Sequence, residues 1–300
     1  MKAIQYHEYG GPEVLQLVEA AEPHAGPGEV RIAVRAAGVN GIDWKTRAGY
    51  RAGGTPLAGP TGTGLDAAGI VDEVVEGVAG VAIGDAVFGS GRDTLAEYAV
   101  LTDWAAKPAG VSFAEAAGYP LPVETALRIL DQVGVRPGQT LLVSGASGGV
   151  GSAAVQLALV RGITVIGTAS ARNQDYLHAL GATPTTYGDG LVARVRALAP
   201  DGVDAALDIA GSGVIPELTA LSGEPTKVLS IADFNAQQHG AQVSVTPGDR
   251  RAALAEAARL AAAGRFRLPV GRLFALADAA RAQATSAEGH AAGRLVVTVP

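Results

Sequence analysis

A chain of 300 residues, 48% hydrophobic and 17% charged, has the makings of one large or two ordinary folded units and is neither disordered nor fibrous in composition. Its net charge of −6, with arginine and lysine spread along the chain, excludes a basic surface for a polyanion, so nucleic acid is not expected as a partner. The absence of cysteine removes disulfides, thiolate catalysis and every cysteine-built zinc site.

The chain opens on MKAIQYHEYGG, which has no apolar signal core, and nowhere do eighteen apolar residues run uninterrupted. The expectation is a soluble, cytoplasmic protein with no membrane partner. Short β-type runs follow, VRIAV (30–34), GIVDEVV (69–75), DAVFG (85–89) and LAEYAVL (95–101), separated by glycine and proline. They predict an irregular, largely antiparallel β domain.

From about residue 120 strand, glycine turn and helix alternate. LLVSGA, ITVIGTAS, VDAALDIA and KVLSIADF read as buried strands, and helical periodicity follows the first two, which implies a doubly wound parallel sheet. In PGDRRAALAEAARLAAAGRF, Asp249 is the predicted N-cap and Gly264 the predicted stop of a helix. The closing GRLVVTVP returns to strand character, so the C-terminus is expected to complete the first domain. The predicted division is 1–115 plus 268–300 for the β domain and 116–267 for the α/β domain inserted into it.

Residues 141–158, LLVSGASGGVGSAAVQLA, run from a buried strand through glycines at 145, 148, 149 and 151 into a helix. Such a turn exposes the free N–H groups of a helix N-terminus, where roughly half a unit of positive charge awaits an anion. Ser147, Gly148, Gly149 and Val150 are the candidate cradle. A turn whose glycines serve only close helix–strand packing is the alternative. The strand before it, the helix after it and the second strand beyond favour the dinucleotide reading.

The loop resembles the AxGGVG loop of the medium-chain dehydrogenase/reductases, specifically their zinc-independent quinone oxidoreductase branch. AAGVNGIDWKTRAGY (36–50), TGTGLDAAGIV (61–71), GDAVFG (84–89), AGYPLPVETALRIL (117–130) and EGHAAGRLVVTV (288–299) are similar to that family's segments, in the same order. The resemblance implies a GroES-like β domain carrying a Rossmann-type domain. The implied reaction is hydride transfer from a nicotinamide, whose C4 faces the cleft between domains, to a quinone or an α,β-unsaturated carbonyl compound. It also implies a homodimer formed through edge strands, with AQVSV (241–245) as the candidate edge.

The superfamily's zinc enzymes carry a cysteine where Asn40 stands and a histidine where Leu65 stands, so their tetrahedral site cannot be assembled from these residues and no metal is expected. His7, His24, His178, His239 and His290 have no metal-ligand spacing. No Asp or Glu stands between Gly145 and Gln174 to hold an adenosine ribose. Ser170, Arg172 and Asn173 offer donors and one fixed positive charge instead, which predicts NADPH as cofactor. Tyr187 matches a family tyrosine at the same end of the cofactor, or is an ordinary loop tyrosine.

Ala210 in DIAG, with Ser230 and Ile231 in SIADF, ends later strands and is expected at the nicotinamide end. Asn40 and Tyr50 resemble family residues that orient the acceptor, and Tyr50 could supply or relay a proton. Asp43 and Asp66 read as turn residues. A short-chain dehydrogenase would need YxxxK, which this sequence lacks. An enoyl reductase of a biosynthetic pathway, and a protein that binds NADPH without turnover, remain alternatives.

Overall fold

The computed structural model describes residues 1–289 and 291–300. His290 lies outside the described residues. By its internal contacts the chain divides into Met1–Leu121 with Asp249–Pro300, and Pro122–Gly248.

In chain order, the first unit begins with β1 (Lys2–Tyr6), β2 (Gln16–Glu19), β3 (Val30–Val39), α1 (Gly41–Arg47), β4 (Thr61–Gly62), β5 (Asp66–Val74), β6 (Ala86–Arg92), β7 (Tyr98–Ala106) and α2 (Phe113–Ala117). Helix α3 (Pro120–Val133) leads into the second unit, where β8 (Thr140–Ser144), α4 (Gly149–Val160), β9 (Thr164–Ala169), α5 (Gln174–Ala179), β10 (Thr183–Thr186), α6 (Leu191–Leu198), β11 (Ala205–Asp208), α7 (Ile215–Ser222), β12 (Val228–Ser230) and β13 (Gln242–Val243) follow. The chain returns to the first unit with α8 (Arg250–Ala262), β14 (Val270–Ala275), α9 (Ala279–Glu288) and β15 (Arg294–Thr298).

The first unit holds a sheet in the order β14-β15-β3-β5-β6-β7, and β3 also pairs with β7, which closes its middle strands on themselves. Strand β3 buries Val30, Ile32 and Val34 on alternate positions, the period of a pleated strand with one core face. These side chains pack with Val71, Val87, Leu101 and Val297 in one apolar cluster. Strand β15 pairs antiparallel with β3, Leu295 opposite Val39, so the C-terminus does complete this sheet. Strand β7 starts later than the run LAEYAVL predicts because residues 95–97 bond elsewhere. Leu95 N–H donates to Thr63 O, Leu95 O accepts from Ile4, and Glu97 N–H donates to Lys2 O.

The second unit is a parallel sheet in the order β10-β9-β8-β11-β12-β13. Its central strands β8, β9, β11 and β12 are buried over nearly their whole length, the pattern of a parallel sheet covered on both faces, whereas the edge strands β10 and β13 are only partly buried. Helix α8 runs from Asp249, whose carboxylate accepts Ala252 N–H at 2.9 Å, and ends before Gly264 at φ +67°. It belongs to the first unit, so the boundary expected at 267 falls at 248. The cause is packing against β7: the Arg251 guanidinium stands 4.7 Å over the Trp104 ring and 3.9 Å from Asp103. The expected boundary at 115 likewise moves to 121, since α2 packs on β3 and β5.

Candidate cofactor-binding site

Strand β8 ends at Ser144, and the chain turns through 145–148 into α4. Gly145 takes φ +81°, a left-handed conformation that favours glycine. Gly151 permits the close approach of helix to turn: a Cβ there would fall inside the Gly145 carbonyl oxygen and lie 2.7 Å from the Ala146 backbone. At Gly148, by contrast, the nearest atom to an added Cβ is Gly145 O at 3.7 Å, so that space is open. No side chain caps α4 and no acidic residue stands in its first turn. The first-turn N–H groups, including those of Gly149 and Val150, therefore have no intrahelical acceptor, and the positive end of the helix dipole is left for an anion. The diphosphate of a dinucleotide fits this donor set.

Across the sheet, Thr185, Thr168, Ser144, Asp208 and Ser230 stand abreast at the carboxyl ends of β10, β9, β8, β11 and β12. All five are buried. Thr168 Oγ1 accepts Gly145 N–H at 3.3 Å, which fixes where the glycine turn leaves the sheet.

Beyond β9, Ser170 opens a short 3-10 turn, and its hydroxyl is buried with no hydrogen-bond partner. An orphaned hydroxyl beside an open helix N-terminus suits a ligand oxygen. Asn173 is buried and its Nδ2 donates to Ser147 Oγ at 3.3 Å, joining this turn to the glycine loop. Arg172 is exposed on the same turn. Thr186 pairs with Ala169, so the next residues, Tyr187 and Ser170, leave the two strands side by side. Tyr187 is 46% exposed, leaving its ring open to a ligand.

Two residues that the sequence reading did not single out hold this edge. Gln174 Nε2 donates to Ala169 O, Ser170 O and Thr185 O at 3.0–3.1 Å, binding the ends of β9 and β10 together. The Arg194 guanidinium reaches the carbonyls of Thr186, Tyr187, Gly188 and Asp189 at 2.7–3.3 Å. Neither carries a motif that would have marked it.

At the other end of the row, Ser230 Oγ donates to the buried Asp208 carboxylate at 2.8 Å and accepts the N–H groups of Ala232 and Asp233. Asp208 also accepts Gly211 N–H at 2.9 Å. The Ser230 side chain is thus spent on shaping the turn rather than open to a ligand. Ala210 is exposed and Ile231 half-buried at the same edge, followed by Phe234 at 63% exposure.

In the β-rich unit, Asn40 precedes α1 and its backbone N–H donates to the Asp43 carboxylate at 2.7 Å. Both ends of its amide make a hydrogen bond: Nδ2 donates to Asp66 at 2.9 Å and Oδ1 accepts from Arg294 at 2.8 Å. At 3% exposure Asn40 bridges two charged residues in the interior. Asp66 lies in strand β5, not in a turn, and also accepts Leu121 N–H. Burial pushes the Asp43 carboxyl up to about 7 and that of Asp66 up to about 6, the nearby Arg294 opposing both. Arg294, a charge opening an otherwise apolar strand, was the one signal in the sequence for this interior network. Tyr50 is 74% exposed, edge-on to Trp44 at 5.7 Å between ring centroids. Asn40 and Tyr50 are therefore not alike: one is interior, the other on the surface.

Two family models match the chain, the alcohol dehydrogenase GroES-like domain over residues 26–118 and the zinc-binding dehydrogenase over 149–221. The chloroplastic quinone-oxidoreductase QR1 of Triphysaria versicolor is 31% identical, the match covering 99% of this chain and 98% of the relative. The chain belongs to the medium-chain dehydrogenase/reductase superfamily, in its quinone oxidoreductase branch. The 2-methylene-furan-3-one reductase of Solanum lycopersicum is 38% identical over 61% of the chain, which spans only half of that relative's length. Among solved structures, a mycobacterial protein complexed with NADPH superposes at a TM-score of 0.86 with 28% identity, over the full length of both chains.

In this quinone oxidoreductase-branch chain, the places of the zinc ligands hold the occupied amide of Asn40 and the apolar Leu65. Among the described residues no group of three or more His, Asp or Glu is gathered to hold a metal ion. Of the histidines, His7, His178 and His239 are exposed and His24 pairs with Glu73 at 3.1 Å. No helix is long and apolar enough to cross a membrane, among the described residues.

Proposed function

We propose that the chain is an NADPH-dependent reductase of quinones or α,β-unsaturated carbonyl compounds that works without a metal. The observation that carries this reading is the uncapped, acid-free N-terminus of α4, opening beside the orphaned Ser170 hydroxyl and the exposed Arg172. The quinone-oxidoreductase and 2-methylene-furan-3-one reductase relatives and the NADPH-bound neighbour support it.

When bound, the reduced nicotinamide supplies the hydride. The chain's own residues do the rest. Backbone N–H groups of Gly149 and Val150 hold the diphosphate, and Ser170 with Arg172 favours a ribose phosphate over a bare ribose. Tyr187 lines the adenosine end. Ala210 and Ile231 present backbone and apolar side chains at the nicotinamide end, on turns fixed by Asp208 and Ser230. Quinones and enones are electrophilic enough to accept hydride without a Lewis acid. Tyr50, exposed to water, passes a proton to the reduced acceptor. A homodimer through the terminal strand β13, next to which Val245 is 66% exposed, is part of the same reading.

Stopped-flow NADPH oxidation against 1,4-quinones, alkenals, cyclic enones and enoyl thioesters tests it. Turnover of quinones or alkenals is the expected result, and relative kcat/KM ranks the acceptors. Tight NADPH binding with no oxidation on any acceptor would mean a binding protein rather than an enzyme.

A further inference from the structure

The β-rich unit carries an open depression of about 420 Å³, lined by Gly10, Gly11, Trp44, Arg47, Gly49 and Tyr50 among others. Arg47 and Arg294 are the two buried arginines among the described residues. They are treated differently. Arg294 meets Asn40 and Asp66, as described above. Among the described residues, Arg47, 2% exposed, has its Nε and Nη1 buried without a hydrogen-bond partner and makes no ion pair with a carboxylate within 4.0 Å. A guanidinium has five N–H donors and cannot lose its charge in a protein, so two of its nitrogens left buried without a partner carry an uncompensated desolvation cost. Fold stability gives no reason to keep it.

The surroundings point to what would satisfy it. Lys45 stands 5.6 Å over the Trp44 ring and adds positive charge. The Trp44 and Tyr50 rings give the depression aromatic surface. Glu13, exposed, folds its carboxylate against Gly11 and acts on Arg47 from outside pairing distance. Arginine's planar fork matches the two oxygens of a carboxylate. We propose that this depression binds a planar carboxylate, its two oxygens on the Arg47 guanidinium and its carbon body against Trp44 and Tyr50. That this ligand is the hydride acceptor itself rests on the reading of Tyr50 in the proposed function. That the depression binds carboxylates does not.

Trp44 and Trp104 are the chain's two tryptophans, so in the Trp104→Phe protein all indole emission reports on the depression. Titration with benzoate is expected to change that emission saturably, and benzamide, the neutral isostere, to bind at least roughly tenfold more weakly. Adding Arg47→Met abolishes the response while the melting temperature holds or rises, because an apolar side chain there removes an unpaired buried charge. No saturable response to benzoate, equal affinity for benzamide, preference for inorganic phosphate, or unchanged affinity in Arg47→Met would each overturn the site. Should Arg47→Met fail to fold, Glu13→Gln decides: removing the competing carboxylate tightens benzoate several-fold, and unchanged or weaker binding overturns the proposal. A second arm compares kcat/KM for a naphthoquinone with and without a carboxylate. Preference for the carboxylated quinone that is lost in Arg47→Lys ties the site to the acceptor. Benzoate binding without reduction of any quinone sinks the proposed function and leaves the site standing.

Discussion

Asp66 and Arg294 lie 3.9 Å apart in the interior, and the Asn40 amide is hydrogen-bonded to both. With Asp43 nearby, two buried carboxyls share one buried cation. Desolvation is the largest influence on each and raises both, Asp43 from 3.8 to about 7 and Asp66 from 3.8 to about 6. The folded state therefore holds protons that the unfolded chain has released between those limits. Their contribution to stability is fully present below the unfolded value of 3.8 and is lost as pH rises toward about 7. Asp43→Asn keeps an oxygen to accept Asn40 N–H and removes one titrating group. Urea midpoints at about pH 5 and about pH 8 should show wild type losing stability relative to Asp43→Asn on going up in pH. A difference that stays flat between the two would show that Asp43 is ionised in the folded protein throughout.

Gly148, the residue that caps α4, and Gly151, in the first turn of that helix, stand three residues apart, yet alanine should do opposite things at them. At Gly151 the new Cβ meets the Gly145 carbonyl and Ala146 backbone, so α4 has to move. A loss of about 1–3 kcal/mol of stability, typical of overpacking, is expected together with lost NADPH binding. At Gly148, φ −75° suits any residue and the space is open, so the apoprotein should melt as wild type does. Its Cβ would instead occupy the ground that a diphosphate needs, and NADPH affinity should fall about tenfold or more. Thermal melts and fluorescence titration of both variants separate packing from ligand approach.

Arg172 is exposed on the short turn after β9 that Ser170 opens. A charge-assisted contact to a ribose phosphate contributes roughly 1.5–3 kcal/mol, so Arg172→Ala should weaken NADPH by more than tenfold and NADH hardly at all. Titration of both cofactors measures this. Equal losses would remove Arg172 from the site.

Much of this arrangement was legible from pattern. The alternation around LLVSGA and ITVIGTAS, with glycines between, marks a parallel sheet whose turns bind, and Asp249 marks α8 because capping is a local interaction. What was not legible is set by residues far apart in sequence. Asn40, Asp66 and Arg294 come together only when β15 pairs with β3, so nothing near position 40 says that its amide is engaged. The assignment of α8 depends on Trp104 and Asp103, residues in a strand well over a hundred positions earlier. Ser230 looks like a ligand-facing serine from its place at a strand end, but its hydroxyl is drawn inward by Asp208, whose register opposite it appears only in the folded sheet.

Gln174 shows the same dependence and permits a test with an internal control. Its Nε2 faces three carbonyl oxygens, of Ala169, Ser170 and Thr185, and in this place only a donor is tolerated. Gln174→Leu leaves those carbonyls short of a partner and should cost about 1–3 kcal/mol. Gln174→Glu should cost more at neutral pH, since an ionised carboxylate sets like partial charges against three acceptors. Its pKa in that place should be raised, so acidification converts the side chain into an O–H donor and restores a bond. The gap in melting temperature between Gln174→Glu and wild type should therefore narrow on going from about pH 8 to about pH 5, while the gap for Gln174→Leu stays constant. NADPH affinity should track the glutamate variant's recovery, because the ends of β9 and β10 carry Ser170 and Tyr187. Recovery of stability without recovery of binding would mean that these strand ends do not meet the cofactor.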